Sequence, residues 1–202
     1  MLRMLWNTLP SLLIVQAIGA VMLVLVPLVA VNGTVDDSPR RVAFAVPAAS
    51  GNEATWGSAV DLLGARMTRA FGVQPAAAND FAAWILEASA RHDLDPDLLA
   101  SLVKIESQFR VHARSRRGAV GPAQVKPWIW SDFCGTSRVD LQTNPEENIY
   151  CGAQVLSHFR DRCGDQSCAL QGYATGKPRA GMARLYVARI DAAIDQLRST
   201  EI

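Results

Sequence analysis

The chain has 202 residues, half of them hydrophobic and 19% charged, with a formal net charge of +1. That is room for one domain with a proper core plus an appendage, and too little for two large domains. From residue 79 onward Lys plus Arg and Asp plus Glu number fifteen each on the sequence. A nucleic-acid groove would need a basic excess, so nucleic acid is not the expected partner.

The apolar excess is concentrated at the front. LPSLLIVQAIGAVMLVLVPLVAV, residues 9–31, holds no charged side chain, and Gln16 is its one strongly polar group. Roughly 20 such residues suffice to cross a bilayer as a helix. Arg3 precedes the run while Asp36 and Asp37 follow it, which puts the amino end on the cytoplasmic side and delivers the remainder outside. A cleaved signal peptide is the competing reading, with AFA at 43–45 as its cleavage site. The length of the run favours a retained anchor over residues 1–33.

Residues 34–78 read as a tether, Val-, Ala-, Ser-, Gly- and Pro-rich at first. They contain one possible amphipathic helix, with Val60, Leu63, Met67 and Phe71 at helical spacing. From 79 onward the helices come quickly. NDFAAWILEASARH offers Asn79 as a cap. LDPDLLASLVKIESQF offers Asp95 as cap and Pro96 at the first helical position. PWIWSDF reads as an aromatic turn. Asn144 and Pro145 open the next helix, with Glu146 and Glu147 at the positive end of its dipole. CALQGYATG forms a short helix ended by Gly176, and the last helix, 181–199, buries Leu185, Ile190, Ala193, Ile194 and Leu197. No stretch alternates with period two for long enough to demand a sheet, so residues 79–202 are expected to form one all-α domain.

Four cysteines, Cys134, Cys151, Cys163 and Cys168, sit in the last third and allow three pairings. The loop CGDQSC suits Cys163–Cys168, leaving Cys134 with Cys151. Export to an oxidising compartment favours disulfides, with a zinc site and free buried thiols as the alternatives.

One residue breaks the apolar patterning. On a helix of about 100° per residue, Ile105, Leu98, Phe109, Leu102, Leu99 and Val103 fill one arc, and Ser101, Lys104, Ser107, Gln108 and Asp97 the opposite one. Glu106 falls inside the apolar arc. Burial disfavours a charged carboxylate, so it must find a partner or stay protonated. Arg110, Arg114, Arg116 and Arg117 lie close in sequence, which makes a structural ion pair the bland reading. The sharper one is a general acid, since glycoside cleavage needs a carboxyl whose pKa is raised by apolar surroundings. A second carboxylate would ordinarily stand nearby, yet Asp132, Asp140, Glu146 and Glu147 are in loops or at a helix start. The histidines are scattered, and no HExxH, P-loop or GxSxG is present.

The ordered blocks DLDPDLLASLVKIESQF, ARSRRGAVGPAQVKP, NPEENIYCGAQVL, GYATG and YVARI resemble the catalytic domain of soluble lytic transglycosylases, related to goose-type lysozyme. The resemblance covers residues 83–191. It implies a lysozyme-like helical fold with Glu106 as single catalytic acid and base. It implies that Ser115 contacts the sugar's N-acetyl region, that Gln124 lines the cleft, and that Tyr173 helps hold the catalytic carboxyl. The substrate's acetamido group and muramyl C6 hydroxyl would perform the second step, and no metal or organic cofactor would be needed. Two positions depart from the family: Pro122-Ala123 stand for Leu-Met, and Ala174 for Asn. The expectation is a peptidoglycan-cleaving enzyme anchored in the inner membrane and facing the periplasm, alone or within an envelope-spanning secretion, conjugation or phage complex. A hydrolytic muramidase and a glycan-binding module without catalysis are the alternatives.

Overall fold

The computed structural model describes residues 55–178 and 181–200. The anchor expected at 9–31 lies outside them. No helix among the described residues is long and apolar enough to cross a membrane.

The described residues are helical, with two isolated bridges in place of strands. Helix α1 (Trp56–Phe71) is followed by α2 (Pro75–His92), α3 (Pro96–Ser107), α4 (Pro127–Cys134), α5 (Asp140–Thr143), α6 (Pro145–Cys163) and α7 (Gln166–Thr175). A 3-10 turn, Gly181–Ala183, leads into α8 (Arg184–Arg198). Local chemistry sets these boundaries. Asp95 accepts from the Asp97 amide at 2.8 Å, and Asn144 from that of Glu146 at 3.0 Å, each ahead of a proline at the first helical position. Gly176 ends α7 in the left-handed region.

Helix α1 falls within the stretch 34–78 read as tether, but it is packed rather than free. Leu63 and Met67 are buried with Phe81 and Ile85 of α2 in the same core. Each fully buried side chain of this size contributes roughly 1.5–3 kcal/mol. Helix α2 starts four residues before the expected cap, because Pro75 can open a helix and the alanines after it favour one. Asn79 therefore sits inside α2, where its Nδ2 donates to Asp61 at 3.0 Å against Gly64 of α1.

Three further expectations are corrected. Ser101 and Ser107 are buried, because α3 is enclosed on nearly every side; small residues permit the close approach, and Ser107 donates to the Val103 carbonyl at 3.1 Å. PWIWSDF forms the helix α4 rather than a turn, again opened by a proline. Leu185 is 80% exposed, since five residues before Ile190 it lies about 140° round the helix, while Ile190, Ala193, Ile194 and Leu197 are buried as expected and are joined by Val187.

Two tethers hold the ends of the bundle. Arg66 of α1 and Arg198 of α8 both reach Asp97 at the start of α3, at 3.0 and 3.2 Å, and Arg198 also pairs with Asp95. Disulfides join Cys134 to Cys151 and Cys163 to Cys168, with Cα–Cα distances of 5.4 and 5.7 Å. The first bonds α4 to α6. The second bonds the end of α6 to the start of α7.

Candidate active site

After α3 the chain turns through two left-handed residues, Gln108 and Phe109, with φ of 55° and 61°. Phe109 plugs the core edge-on against Phe81, with ring centroids 5.2 Å apart. This fixes the last turn of α3, and with it Glu106, at the floor of a cleft of about 590 Å³.

The loop 113–125 forms one wall. Its bridges pair Arg114 with Val120 and Val120 with Val125. Gly121 takes a φ of 75°, and a Cβ there would fall 2.3 Å from the Asn148 side chain. Asn148, fully buried on α6, holds this loop from below. Its Oδ1 accepts from the Ala123 amide at 2.9 Å, and its Nδ2 donates to the carbonyls of Val120 and Leu141, both at 2.9 Å. Asn148 is not among the expected site residues; an asparagine inside an apolar helical face is the available signal. Gly152, one turn along α6, leaves room for Ala123, which a Cβ would meet at 2.5 Å.

The structure brings Glu106, Ser115, Gln124 and Tyr173 into this one cleft, together with Ala174. Ser115 Oγ accepts from the Ala119 amide at 2.9 Å, closing a turn. Its hydroxyl proton remains free for an incoming carbonyl. Gln124 donates to the Gly121 carbonyl at 3.0 Å and keeps its Oε1 for other partners.

Tyr173 does not hold the carboxyl directly. Its hydroxyl donates to the Ala123 carbonyl at 2.7 Å and so braces the loop wall. The group on Glu106 is Tyr186, near the start of α8, which donates to Oε1 at 2.5 Å. Tyr186 belongs to the YVARI block, but no local signal there separates its hydroxyl from that of Tyr173.

The arginines that follow α3 do not pair with Glu106. Arg110 donates to the Ser107 carbonyl at 2.9 Å and Arg114 to Gln142 at 3.1 Å. Burial pushes the Glu106 carboxyl above the ordinary carboxylate range, while the Tyr186 hydrogen bond and the nearby Arg189 charge pull it partly back. The same burial, with the Glu106 charge adding to it, raises Tyr173 and Tyr186 well above a free phenol. Among the described residues, Glu106 is the only carboxylate lining the cleft. Asp140 instead accepts from Ser137 at 2.6 Å, and Glu146 accepts from Tyr150 at 2.8 Å. Trp130 lines the cleft and packs edge-on against Phe159. Trp128 is 55% exposed and lies over Gly118, so it packs on the loop rather than in the core.

The arrangement offers one proton donor in a largely desolvated setting, next to hydrogen-bonding groups and a sugar-sized cleft. A transglycosylase of Enterobacteria phage PRD1 is 38% identical over 93 residues, which is 46% of this chain. The matched region spans about a third of that phage protein, 34% of its length. The family model described as Transglycosylase SLT domain matches residues 83–193, from the middle of α2 to the middle of α8. The chain belongs to the transglycosylase SLT domain family.

Proposed function

We propose that the protein is a peptidoglycan lytic transglycosylase. It cleaves the β-1,4 bond between N-acetylmuramic acid and N-acetylglucosamine and leaves a 1,6-anhydro-muramyl end. The observation that carries this reading is Glu106, the single carboxyl lining the cleft among the described residues, held where burial favours its protonated form.

A protonated Glu106 gives its proton to the glycosidic oxygen as the C1–O bond breaks. The acetamido oxygen of the muramyl unit closes on C1 and carries the developing positive charge. The Glu106 carboxylate, now stabilised by the Tyr186 hydroxyl, takes the proton of the C6 hydroxyl as that oxygen attacks C1 and breaks the C1–O bond to the acetamido oxygen, which returns to a neutral acetamide. The acid is regenerated and no water enters. In this reading Ser115 donates to the acetamido carbonyl and Gln124 and Trp130 bound the sugar, a role supported by their lining the cleft. A two-carboxylate hydrolysis needs a second acid to position water, and none of the described lining residues supplies one; attack by water in place of the C6 hydroxyl would leave reducing ends instead.

The test is product analysis of digested sacculi by mass spectrometry. Anhydro ends support the reading, and reducing ends overturn it. Glu106→Gln should release muropeptides on the order of 10²-fold more slowly, or worse, while still folding.

The proposed location is the periplasmic face of the inner membrane, through residues 9–31. Amino-terminal sequencing of protein from cells tests this. A mature chain beginning after residue 31 would make the segment a signal peptide and leave the catalytic reading standing.

A further inference from the structure

The cleft carries more positive charge than an uncharged sugar can use. Arg117 reaches it from the loop 113–125, Lys126 from the N-terminal boundary of α4, and Arg162 from the last turn of α6. None of the three is in an ion pair among the described residues, and no carboxylate but Glu106 lines the same space. Among the described residues only Arg66, Arg91, Arg160 and Arg198 are in ion pairs, so what sets these three cations apart is that they line one cleft together.

These cations are not counter-charges for Glu106. The cation that acts on its carboxyl is Arg189 of α8, outside the cleft lining. Three separate elements therefore bring like charges to one groove, which costs repulsion unless an anion arrives. Backbone sugars supply no such anion. The substituents on the muramyl units do, as the carboxylates of stem peptides or, where the stem is absent, the lactyl carboxylate.

We propose that Arg117, Lys126 and Arg162 form a carboxylate-reading wall of the cleft, selecting glycan whose muramyl units carry free carboxylates. The inference rests on the peptidoglycan reading above. The wall contributes to substrate affinity and orientation, while the proton transfer stays with Glu106. The three side chains present N–H donors suited to carboxylate, with Arg162 able to bind in bidentate fashion. Its Nη1 lies 3.4 Å from His158 Nε2, which steadies the head group at the rim of the cleft.

The experiment is co-sedimentation with insoluble sacculi, using the full chain with Glu106→Gln so that the substrate persists. It is compared with the same chain also carrying R117Q, K126Q and R162Q. On intact sacculi, the triple substitution should raise the half-saturating sacculus concentration about tenfold, as expected for three partly solvated charge contacts. On sacculi whose carboxylates have been amidated with carbodiimide and methylamine, the two proteins should bind alike. A third arm uses the soluble glycan strands that an amidase releases, whose lactyl carboxylates are freed as the stems leave, as competitors for binding to intact sacculi. Stronger competition against the parent than against the triple variant shows that the wall also takes the lactyl group, equal competition that it reads the stems, and both support the wall. Equal binding of the two proteins to intact sacculi overturns the proposal, as does an undiminished difference on amidated sacculi. If the triple variant fails to fold by thermal melt, Arg162→Gln alone, at an exposed position, should show about a two- to threefold effect with the same dependence on amidation. Failure of the catalytic reading would register separately, as reducing rather than anhydro ends from the unsubstituted chain.

Discussion

The hydroxyl of Tyr186 donates to Oε1 of Glu106 at 2.5 Å, across eighty residues of chain. This contact ties the last turn of α3 to the first turn of α8. It sets the resting charge of the proposed acid: burial alone would hold the carboxyl protonated further up the pH scale, and the phenol moderates that. Tyr186 itself stays protonated, because burial and the neighbouring carboxylate raise it well above the usual phenol range.

Tyr186→Phe should therefore raise the Glu106 pKa further. The hydrogen bond favours the charged form, and removing it favours the neutral one. A general acid works while protonated, so the alkaline limb of the pH–rate profile should move to higher pH. Tyr173→Phe removes a contact to the Ala123 carbonyl instead, and should lower activity with much less movement of that limb. The comparison is made on muropeptide release across a pH series. An unmoved limb in Tyr186→Phe would remove the phenol from control of the acid.

Asn148→Ala should be among the most damaging single changes outside the cleft lining. It orphans the Ala123 amide and leaves the Val120 and Leu141 carbonyls without their buried donor. Each unsatisfied buried group costs about 1–3 kcal/mol, so the loss should be roughly 3 kcal/mol or more. Denaturant unfolding measures this, and the loop wall should loosen, reducing activity beyond the loss of folded protein. A loss near zero would mean that water or a rearranged loop replaces the amide.

Much of the architecture was legible because local chemistry and periodicity agreed. Asp95-Pro96 and Asn144-Pro145 mark helix starts by capping and proline geometry, which act within a few residues. Glu106 stood out for the same reason, as one carboxylate in a clear apolar arc. What escaped was set by contacts distant in sequence. Asn79 looks like a cap until Pro75 and the alanine run are allowed to start α2, and until Asp61 of α1 is there to receive it. Ser101 and Ser107 look solvated until neighbouring helices close over α3. That Tyr186 meets the carboxyl while Tyr173 meets the Ala123 carbonyl could not be read locally, because only the packing of α7 and α8 decides which hydroxyl reaches which oxygen.

Reduction should destabilise the body. Disulfides typically contribute about 2–4 kcal/mol each, and more when the closed loop is longer. The sequence separations are 17 for Cys134–Cys151 and 5 for Cys163–Cys168. Replacing the first pair with serines should thus lower the melting temperature more than replacing the second. Alkylation of unreduced protein followed by mass spectrometry should find no free thiol at these four positions. Equal melting with and without reductant would show that the helical packing alone carries the stability.

The same residue that is expected to abolish activity should stabilise the fold when replaced. Because burial raises the Glu106 pKa above its ordinary 4.5, its contribution to stability is fully present below that value. It is lost as pH rises through the folded value, where a charged carboxylate must be held in a poorly solvated place. Glutamine has the same shape, still accepts from Tyr186 and never charges. Glu106→Gln should thus melt close to the parent protein in acid, with the variant becoming progressively the more stable of the two toward about pH 8. The measurement is a series of thermal melts on both proteins across that range. A difference that stays flat with pH would mean that Glu106 is solvated when charged, and would remove the physical ground for its use as an acid.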